Sequence, residues 1–190
     1  MKTKTNIFLL LFLAIQVYAE VKITKLDSLQ KVLTGKIHDT IRVKTLIELA
    51  QEHYLSSPAL AQKDCEEAKD ISEKIKYENG LVNAYGWLAY LFEQQGQIEK
   101  ALAYNAKSLA IAEKQGSKKD QASILNNMAA IYKDQGRIDD ALKFNNRALQ
   151  LRKQLNDKQG VSTSYNNIGL IYSNQGRIPE ALDYYSRSLN

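Results

Sequence analysis

The segment QGRIDDAL at residues 135–142 recurs as QGRIPEAL at residues 175–182 and as QGQIEKAL at residues 95–102, so the copies begin 40 residues apart. The similarity extends beyond these segments, because residues 121–150 and 161–190 share 12 identical positions out of 30. A fixed period of this length is typical of proteins built by tandem duplication of one small structural unit.

Within each copy, the apolar residues follow the period of an α-helix. Between residues 125 and 132 they recur at intervals of three and four, which places them on one face of a helix. The glycine of the QG pair follows, and glycine commonly ends a helix because it adopts the left-handed backbone conformation without strain. A second apolar stripe covers residues 138–149. Each copy is therefore predicted to be two antiparallel helices joined by a tight turn, with the second helices beginning near Glu99, Asp139 and Pro179.

Small residues recur at one position in each predicted helix, and they allow the two helices of a pair to pack closely. They are Ala89, Ala129 and Gly169 in the first helices and Ala101, Ala141 and Ala181 in the second helices. One helix pair cannot bury both of its faces, so neighbouring pairs must stack on each other. The alternating pattern that is typical of strands does not occur in the sequence. The predicted fold is therefore all-α, a right-handed superhelical solenoid of antiparallel helix hairpins.

The first 19 residues have the pattern of a secretory signal peptide. Two lysines precede an apolar run at residues 7–15, and Val17-Tyr18-Ala19 provides the small residue of a cleavage site. The run is shorter than the roughly 20 apolar residues that a membrane-spanning helix needs. We therefore predict that residues 1–19 direct export to the periplasm or cell envelope, with an uncleaved N-terminal anchor as the alternative interpretation.

The remainder of the chain divides into a cap and four repeats. Residues 20–40 are predicted to form an N-terminal capping helix and a linker, with Asp39 or Thr40 capping the next helix. The apolar residues of the capping helix are Ile23, Leu26, Leu29, Val32 and Leu33. The repeats occupy residues 41–190, as a degenerate copy at 41–80, full copies at 81–120 and 121–160, and an incomplete copy at 161–190. The first half of the degenerate copy is out of phase by one residue.

Composition excludes several classes of function. The 190 residues carry 26 Lys and Arg against 21 Asp and Glu, a net charge of +5, and removal of residues 1–19 lowers it to +3. So small an excess, without clustered basic residues, does not predict nucleic-acid binding. The single cysteine, Cys65, shares a helical stripe with alanines and is expected to be buried, and the two histidines are His38 and His53. This inventory does not support a metal centre or a nucleophile–base pair, so we predict that the chain is not an enzyme and binds no cofactor or metal.

A known repeat motif has the spacing of Ile168-Gly169, Tyr172, Gly176, Ala181 and Tyr185. This pattern resembles the tetratricopeptide repeat, and the resemblance covers residues 41–190. The period of 40 differs from the 34 residues of the usual repeat and is similar to the longer-helix variety seen in kinesin light chains and in many bacterial signalling proteins. The resemblance implies a solenoid that binds a peptide or a segment of a partner protein along the concave surface lined by its first helices.

The resemblance also implies which residues face the partner. The candidate binding residues are Asn83, Trp87, Asn126, Asn127, Lys133, Asn166 and Asn167. Asparagine has both a donor and an acceptor, so a row of asparagines can pair with the backbone of an extended polypeptide. The alternative is that these asparagines are merely hydrated or cap loops, and Trp87 is either a binding anchor or a packing residue. Among the tyrosines, Tyr90, Tyr104 and Tyr184 are interpreted as free to face a partner.

The last helix pair has no polar capping helix after it, and we therefore expect the 190 residues to be part of a longer array. The leading functional hypothesis is a non-catalytic protein-interaction module of an exported protein. The alternative is the sensory input region of a membrane-bound histidine kinase or helix-turn-helix regulator, whose transmembrane and output parts would lie beyond Asn190. Membrane contact is expected only through the signal peptide or such a downstream segment.

Overall fold

The computed structural model describes residues 25–189, and these residues form helices joined by short turns, without a strand. In chain order the helices are α1 (25–34), α2 (Asp39–His53), α3 (Pro58–Lys74), α4 (Glu78–Gln94), α5 (Ile98–Lys114), α6 (Lys118–Asp134), α7 (Ile138–Gln154), α8 (Lys158–Asn174) and α9 (Ile178–Ser188). The prediction of an all-α solenoid of helix hairpins is confirmed, since these helices pack as successive pairs. None of the described helices is both long enough and apolar enough to cross a membrane. The predicted signal peptide at residues 1–19 lies outside the described residues.

The chain divides into two compact units, Met1–Gly80 and Leu81–Asn190. In the first unit, α1 is attached to α2 by one contact near each of its described ends. The Nζ atom of Lys25 lies 2.5 Å from a carboxylate oxygen of Glu52. The guanidinium of Arg42 donates a hydrogen bond of 3.1 Å to the backbone oxygen of Leu33. Helix α1 therefore covers part of α2.

Two details of this segment differ from the sequence predictions. Val32 is 37% exposed, although it was assigned to the apolar side of the capping helix. Successive residues of a helix are rotated by about 100° around its axis. Val32 therefore faces a different direction from its neighbour Leu33, which is half-buried. Helix α2 is capped by His38 and not by Asp39 or Thr40, because Nδ1 of the His38 ring accepts the backbone N–H of Thr40 at 3.3 Å.

The one-residue phase shift expected in the first repeat is present in α2. The buried residues of α2 lie 39 residues before those of α4, whereas the buried residues of α3 lie 40 residues before those of α5. The pairs separated by 39 residues are Val43/Val82, Leu46/Tyr85, Leu49/Leu88 and Ala50/Ala89. The spacing between the last buried alanine of the first helix and the first buried alanine of the second is therefore one residue shorter in this hairpin, from Ala50 to Ala61, than from Ala89 to Ala101 in the next.

In the second unit, the hydrophobic core runs through successive hairpins. One cluster of buried side chains includes Val82 from α4, Leu109 from α5, Leu125 and Met128 from α6, and Ala148 from α7. No single hairpin contains this cluster, so each helix pair buries its apolar side chains only together with a neighbour. The prediction that the hairpins must stack is confirmed for this unit.

Hydrogen bonds also join neighbouring hairpins of the second unit. Nε2 of Gln121 in α6 donates to the backbone oxygen of Ala112 in α5 at 3.1 Å. The guanidinium of Arg152 in α7 donates to the backbone oxygen of Gly160 at 3.1 Å and to Oγ of Ser164 at 2.8 Å, both in α8. Burial lowers the pKa of Arg152. These bonds satisfy polar groups that the stacking of hairpins removes from water.

The small residues of both helices are buried, as predicted. Ala89, Ala101, Ala129, Ala141 and Ala181 are at most 2% exposed. In the last hairpin, a Cβ atom added at Gly169 would lie 3.3 Å from the backbone oxygen of Ala181. The two helix backbones therefore approach each other at this position.

The last hairpin differs from the preceding one in what covers its second helix. Leu182 in α9 is 62% exposed, and Leu189, directly after the helix, is 88% exposed. Their equivalents in α7, which packs against α8, are the half-buried Leu142 and the buried Leu149. The last hairpin thus exposes apolar side chains whose equivalents in the preceding hairpin are covered.

The turns within the three hairpins of the second unit share one backbone conformation. Gly96, Gly136 and Gly176 have φ angles of 71°, 72° and 72°. In the central turn, the backbone N–H of Arg137 donates to the carbonyl of Tyr132 at 2.8 Å, which is the six-to-one bond of a Schellman motif. The glycine turns predicted from the sequence are confirmed.

Three further turns, which join one hairpin to the next, have the same conformation. Gly116 has a φ angle of 68°, and the equivalent residues Lys76 and Asn156 have φ angles of 55° and 53°. A side chain on a left-handed residue crowds the following carbonyl group, and this cost is about 1–2 kcal/mol for most residues and smaller for asparagine. Lys76 is therefore the most strained of the three residues.

We expect Lys76→Gly to raise the free energy of unfolding by about 0.5–1 kcal/mol, because glycine relieves the left-handed strain while making the unfolded chain more flexible. Asn156→Gly is the matched comparison, and it should raise the stability less because asparagine tolerates this conformation. Urea unfolding followed by circular dichroism measures both changes. A larger gain at Asn156 than at Lys76 would contradict the explanation.

Candidate functional site

The first helices of three successive hairpins, α4, α6 and α8, lie side by side in the second unit. Helices α4 and α6 share a cleft of about 320 Å³, and a side-chain hydrogen bond joins α6 to α8. We call the surface formed by the half-buried and exposed residues of these three helices the first-helix face. Trp87, Asn127 and Asn167 occupy equivalent positions in the three helices, 40 residues apart.

Between α6 and α8, the first-helix face contains a cleft of about 120 Å³, which we call the amide cleft. Its lining includes Asn126, Ala130 and Lys133 from α6, Asn167 and Leu170 from α8, and Asn145 from α7. The Nδ2 atom of Asn167 donates a hydrogen bond of 2.6 Å to Oδ1 of Asn126. The cleft therefore brings three amide side chains and one lysine side chain together beside four aliphatic side chains.

Asn145 contributes a buried polar atom to this cleft. Its side chain is 3% exposed, and within residues 25–189 its Oδ1 atom has no hydrogen-bond partner. Asn105, one repeat earlier, is 2% exposed and has the same unpaired oxygen. A buried oxygen without a donor costs about 1–3 kcal/mol.

The structure brings together some of the candidate binding residues and leaves others apart. Asn126, Lys133 and Asn167 all line the amide cleft. The other candidates do not line it: Asn83, Asn127 and Asn166 are exposed, and Trp87 is half-buried on α4. Sequence reasoning missed Asn145. A signal existed, since an asparagine interrupts the apolar stripe of α7 and an asparagine also stands at the equivalent position 105.

Aromatic side chains follow two different patterns in the second unit. Trp87 contacts Tyr90 edge to face, with ring centroids 5.7 Å apart, and Tyr90 is 37% exposed on the first-helix face. The interpretation of Tyr104 and Tyr184 as free side chains is wrong. Tyr104 stacks on Phe92 at 5.5 Å and Tyr184 stacks on Tyr172 at 5.4 Å, so both join the two helices of their own hairpins.

Cys65 belongs to the second helix of the first hairpin, in the first unit. It is fully buried, and burial raises the pKa of its thiol to about 12, so the expectation of a buried cysteine is confirmed. Nearby in the chain, Nδ1 of His53 lies 2.7 Å from a carboxylate oxygen of Asp64, and burial raises the pKa of Asp64 despite this bond. Across residues 25–189, no three His, Cys, Asp or Glu side chains are grouped as metal ligands would be.

The cleft between α4 and α6 is acidic. Its lining includes Glu93 from α4 and Asp134 from α6, with the aliphatic side chains of Ile98 and Ile131. Burial raises the pKa of Glu93, and the nearby Asp134 carboxylate raises it further, whereas Lys133 lowers it. The charged form of Glu93 is therefore disfavoured in the folded chain relative to the unfolded chain.

We expect Glu93→Gln to increase stability near pH 7. A carboxyl group with a raised pKa binds more protons in the folded state, so its contribution to stability falls as the pH rises from about 4 through the raised pKa. The glutamine variant should lose this part of the pH dependence. Thermal unfolding between pH 4.5 and 7.5 measures the effect, with Glu99→Gln on the exposed side of α5 as the control. A lower melting temperature of Glu93→Gln at pH 7 would refute the expectation.

Comparisons with known proteins agree with this architecture. Two family models described as tetratricopeptide repeat match the chain, one over residues 82–115 and the other over residues 120–190. Together they cover more than half of the chain and include parts of all three hairpins of the second unit. No curated protein matches the sequence.

Several solved structures share the fold. The chain is similar to BtubC from P. vanneervenii, with 23% identity, a TM-score of 0.73, and coverage of 90% of this chain and 70% of that one. It is similar to aspartyl phosphate phosphatase F from Bacillus subtilis, with 18% identity, a TM-score of 0.78, and coverage of 88% and 48%. A Rap protein complexed with Competence and Sporulation Factor has 17% identity, a TM-score of 0.78, and coverage of 91% and 50%. The chain thus spans about half the length of the last two proteins.

Proposed function

Because the chain belongs to the tetratricopeptide repeat family, we propose that it is a non-catalytic module that binds an extended segment of a partner protein on its first-helix face. The binding surface comprises the amide cleft and the aromatic pair of Trp87 and Tyr90. No bond of the partner is broken or formed, and the chain contributes hydrogen bonds, apolar contacts and position.

The Asn126–Asn167 hydrogen bond is the observation that carries this proposal. It uses the acceptor of Asn126 and one donor of Asn167. The Nδ2 group of Asn126 and the Oδ1 atom of Asn167 are then available to a ligand. One donor beside one acceptor matches a peptide group, which presents one carbonyl and one N–H. Such a pair recognises the backbone of an extended segment whatever its side chains are.

The aromatic pair adds an apolar contact to the same surface. Trp87 and Tyr90 project from α4, and large aromatic side chains at a partly exposed position supply much contact area at low conformational cost. The acidic cleft between α4 and α6 lies on the same face and contributes negative charge from Glu93 and Asp134. These features favour a segment with an apolar residue and a basic residue beside the stretch held by the amides.

The structural neighbours support a binding role at the level of the fold. The Rap protein of similar fold was solved complexed with Competence and Sporulation Factor, so a chain with this arrangement of hairpins carries a bound factor. At 17% identity, the similarity of fold does not assign roles to individual residues of this chain. The proposed contacts therefore depend on the geometry of the amide cleft.

The proposal can be tested by selection from a displayed library of random 12-residue peptides against the immobilised full chain. We expect enriched peptides that bind the parent chain and bind Asn126→Ala/Asn167→Ala about tenfold or more weakly, since several hydrogen bonds are lost. Asn146→Ala is the matched control, because Asn146 is an exposed asparagine on the second helix α7. Equal retention of the selected peptides by the parent and the double variant would reject the assignment of the first-helix face.

The module is further proposed to act in the periplasm or cell envelope. This location is supported by the two lysines, the apolar run and the small-residue site within residues 1–19. Mass spectrometry of the chain recovered from the periplasmic fraction of a bacterial host should find Glu20 at its N-terminus. Recovery of the uncleaved chain only in the cytosolic fraction would reject the location and leave the binding proposal intact.

A further inference from the structure

Gly86 interrupts α4 at a position where the fold does not require glycine. It lies in the middle of the helix, and its backbone is not left-handed, unlike that of Gly96. A Cβ atom added at Gly86 would meet no neighbouring helix within 4 Å among residues 25–189. Glycine in a helix interior is destabilising relative to alanine, because it loses more conformational freedom on folding. The stability of the fold therefore does not explain the presence of Gly86.

The other repeats show which side chain is missing at this position. The residues one and two repeats later are Asn126 and Asn166. Asn126 accepts a hydrogen bond from Asn167, and this bond joins α6 to α8. Gly86 has no side chain with which to reach Asn127, the equivalent of Asn167 on α6. The groove between α4 and α6 is therefore open at the level where the groove between α6 and α8 is bridged.

The side chains beside this opening differ in chemistry from those of the amide cleft. Tyr90 and Glu93 follow Gly86 at the i+4 and i+7 positions, so the three residues lie on one face of α4. Their equivalents in α6 are Ala130 and Lys133, so an aromatic residue replaces an alanine and a carboxylate replaces a cation. Tyr90 is 37% exposed, and Glu93 lines the cleft of about 320 Å³ between α4 and α6. A side chain that enters over Gly86 thus meets an aromatic ring and then a carboxylate.

The carboxylate of Glu93 favours a positively charged ligand. Asp134, the other acidic residue of the cleft, already lies 3.0 Å from the Nζ atom of Lys133. Burial and the Asp134 charge raise the pKa of Glu93, so its charged form is disfavoured in the free chain. A cation beside Glu93 would oppose this effect, and an anion would increase it. The groove is therefore complementary in charge to a basic side chain.

Arginine matches this succession of groups better than lysine does. Its planar guanidinium can stack on an aromatic ring while it donates hydrogen bonds to a carboxylate. The chain itself contains this arrangement, since the guanidinium of Arg137 lies 4.4 Å from the ring centre of Tyr132 and 2.6 Å from a carboxylate oxygen of Asp140. Arg177 lies over Tyr172 at the same distance.

We infer that Gly86 is a specificity-determining residue, which keeps the groove between α4 and α6 open for an arginine side chain of the bound polypeptide. The stem of that arginine passes over Gly86, its guanidinium stacks on Tyr90, and its N–H groups donate to the carboxylate of Glu93. This inference rests on the proposed function, because the arginine belongs to the extended segment that the first-helix face binds.

The displayed library of 12-residue peptides tests the role of Gly86. Peptides selected on the parent chain should contain arginine at one fixed position. Gly86→Asn introduces the side chain found in the later repeats, so selection on this variant should remove the arginine preference while other positions of the peptides are retained. Ala106→Asn, at an exposed position of α5, is the matched control and should leave the preference unchanged. Loss of the preference in both variants, or in neither, would overturn the inference.

Thermal unfolding tests whether packing requires the glycine. Gly86→Ala should raise the melting temperature by about 2–4 °C, because alanine favours the helix interior and has room at this position. A lower melting temperature would show that the fold needs glycine there, and the functional explanation of Gly86 would then be wrong.

A charge exchange tests the contact between the arginine and Glu93. For a selected peptide, Glu93→Lys should weaken binding by about tenfold or more, and an Arg→Glu change in the peptide should recover affinity for this variant. Glu99→Lys, at an exposed position of α5, is the matched control. Fluorescence anisotropy measures the affinities. Equal weakening by both lysine variants, or no recovery with the glutamate peptide, would contradict the assigned contact.

The outcomes separate the inference from the proposed function. If no peptide is enriched on the parent chain relative to Asn126→Ala/Asn167→Ala, the proposed function fails and the inference fails with it. If peptides are enriched but have no fixed arginine, the inference fails alone. Circular dichroism checks that Gly86→Asn and Glu93→Lys fold.

Discussion

We expect Ala141→Leu to lower the free energy of unfolding by about 1–3 kcal/mol, because it overpacks a contact that has no room for additional carbon atoms. Ala141 is 0% exposed in α7 and belongs to the series of small residues at which the two helices of a hairpin meet. In the equivalent contact of the last hairpin, a Cβ atom at Gly169 would already lie 3.3 Å from the backbone of α9. A leucine at Ala141 must therefore separate α6 from α7 or displace its own helix.

The matched control is Ala110→Leu on α5. It adds the same atoms at an exposed position, where they displace only water. Its effect should stay within about 0.5 kcal/mol of the parent. Urea unfolding, followed by circular dichroism, measures both variants. An Ala141→Leu variant as stable as Ala110→Leu would show that the hairpin can open without cost, and the close-packed contact would then be wrong.

The second large effect is expected for Gly169→Ala. This substitution should lower the stability of the parent chain but raise it when Tyr185 is replaced by asparagine. A Cβ atom at Gly169 would lie 2.8 Å and 2.9 Å from two ring carbons of Tyr185. Overpacking costs about 1–3 kcal/mol, which exceeds the gain of about 1 kcal/mol that alanine brings to a helix interior. Gly169→Ala should therefore destabilise the parent chain.

The preceding hairpins contain the combination that removes this clash. Where the first helix has Ala89 or Ala129, the position equivalent to Tyr185 holds Asn105 or Asn145. In a Tyr185→Asn background, Gly169→Ala should consequently increase stability by up to about 1 kcal/mol. A double-mutant cycle measures the difference as a coupling energy of about 1–3 kcal/mol. Additive effects of the two substitutions would show that the ring and the glycine are not matched.

The repeat and its turns were predictable from the sequence because both depend on local chemistry. The 40-residue period, the apolar spacing and the glycines at 96, 136 and 176 are properties of single helices and single turns. The left-handed conformation at Lys76 and Asn156 was not predictable in this way, because neither residue prefers it strongly enough to mark a turn. Their position is set by the helices on either side.

The binding surface was predictable only in part. The asparagines of α6 and α8 could be assigned to the first helices from the repeat, and three of the seven candidate residues meet in the amide cleft. Tyr104 and Tyr184 were misassigned because their partners, Phe92 and Tyr172, belong to the other helix of the hairpin. Sequence spacing describes one helix at a time and does not report which side faces a neighbour.

The order of residues was sufficient to establish helices, hairpins and their stacking, since a repeated pattern of apolar and small side chains admits few other arrangements. The amide cleft depends on the packed hairpins. Asn126 and Asn167 belong to different hairpins, and their side chains meet only because α6 and α8 pack side by side. In an extended chain both amides would be hydrogen-bonded to water, so only the tertiary structure joins them into one site.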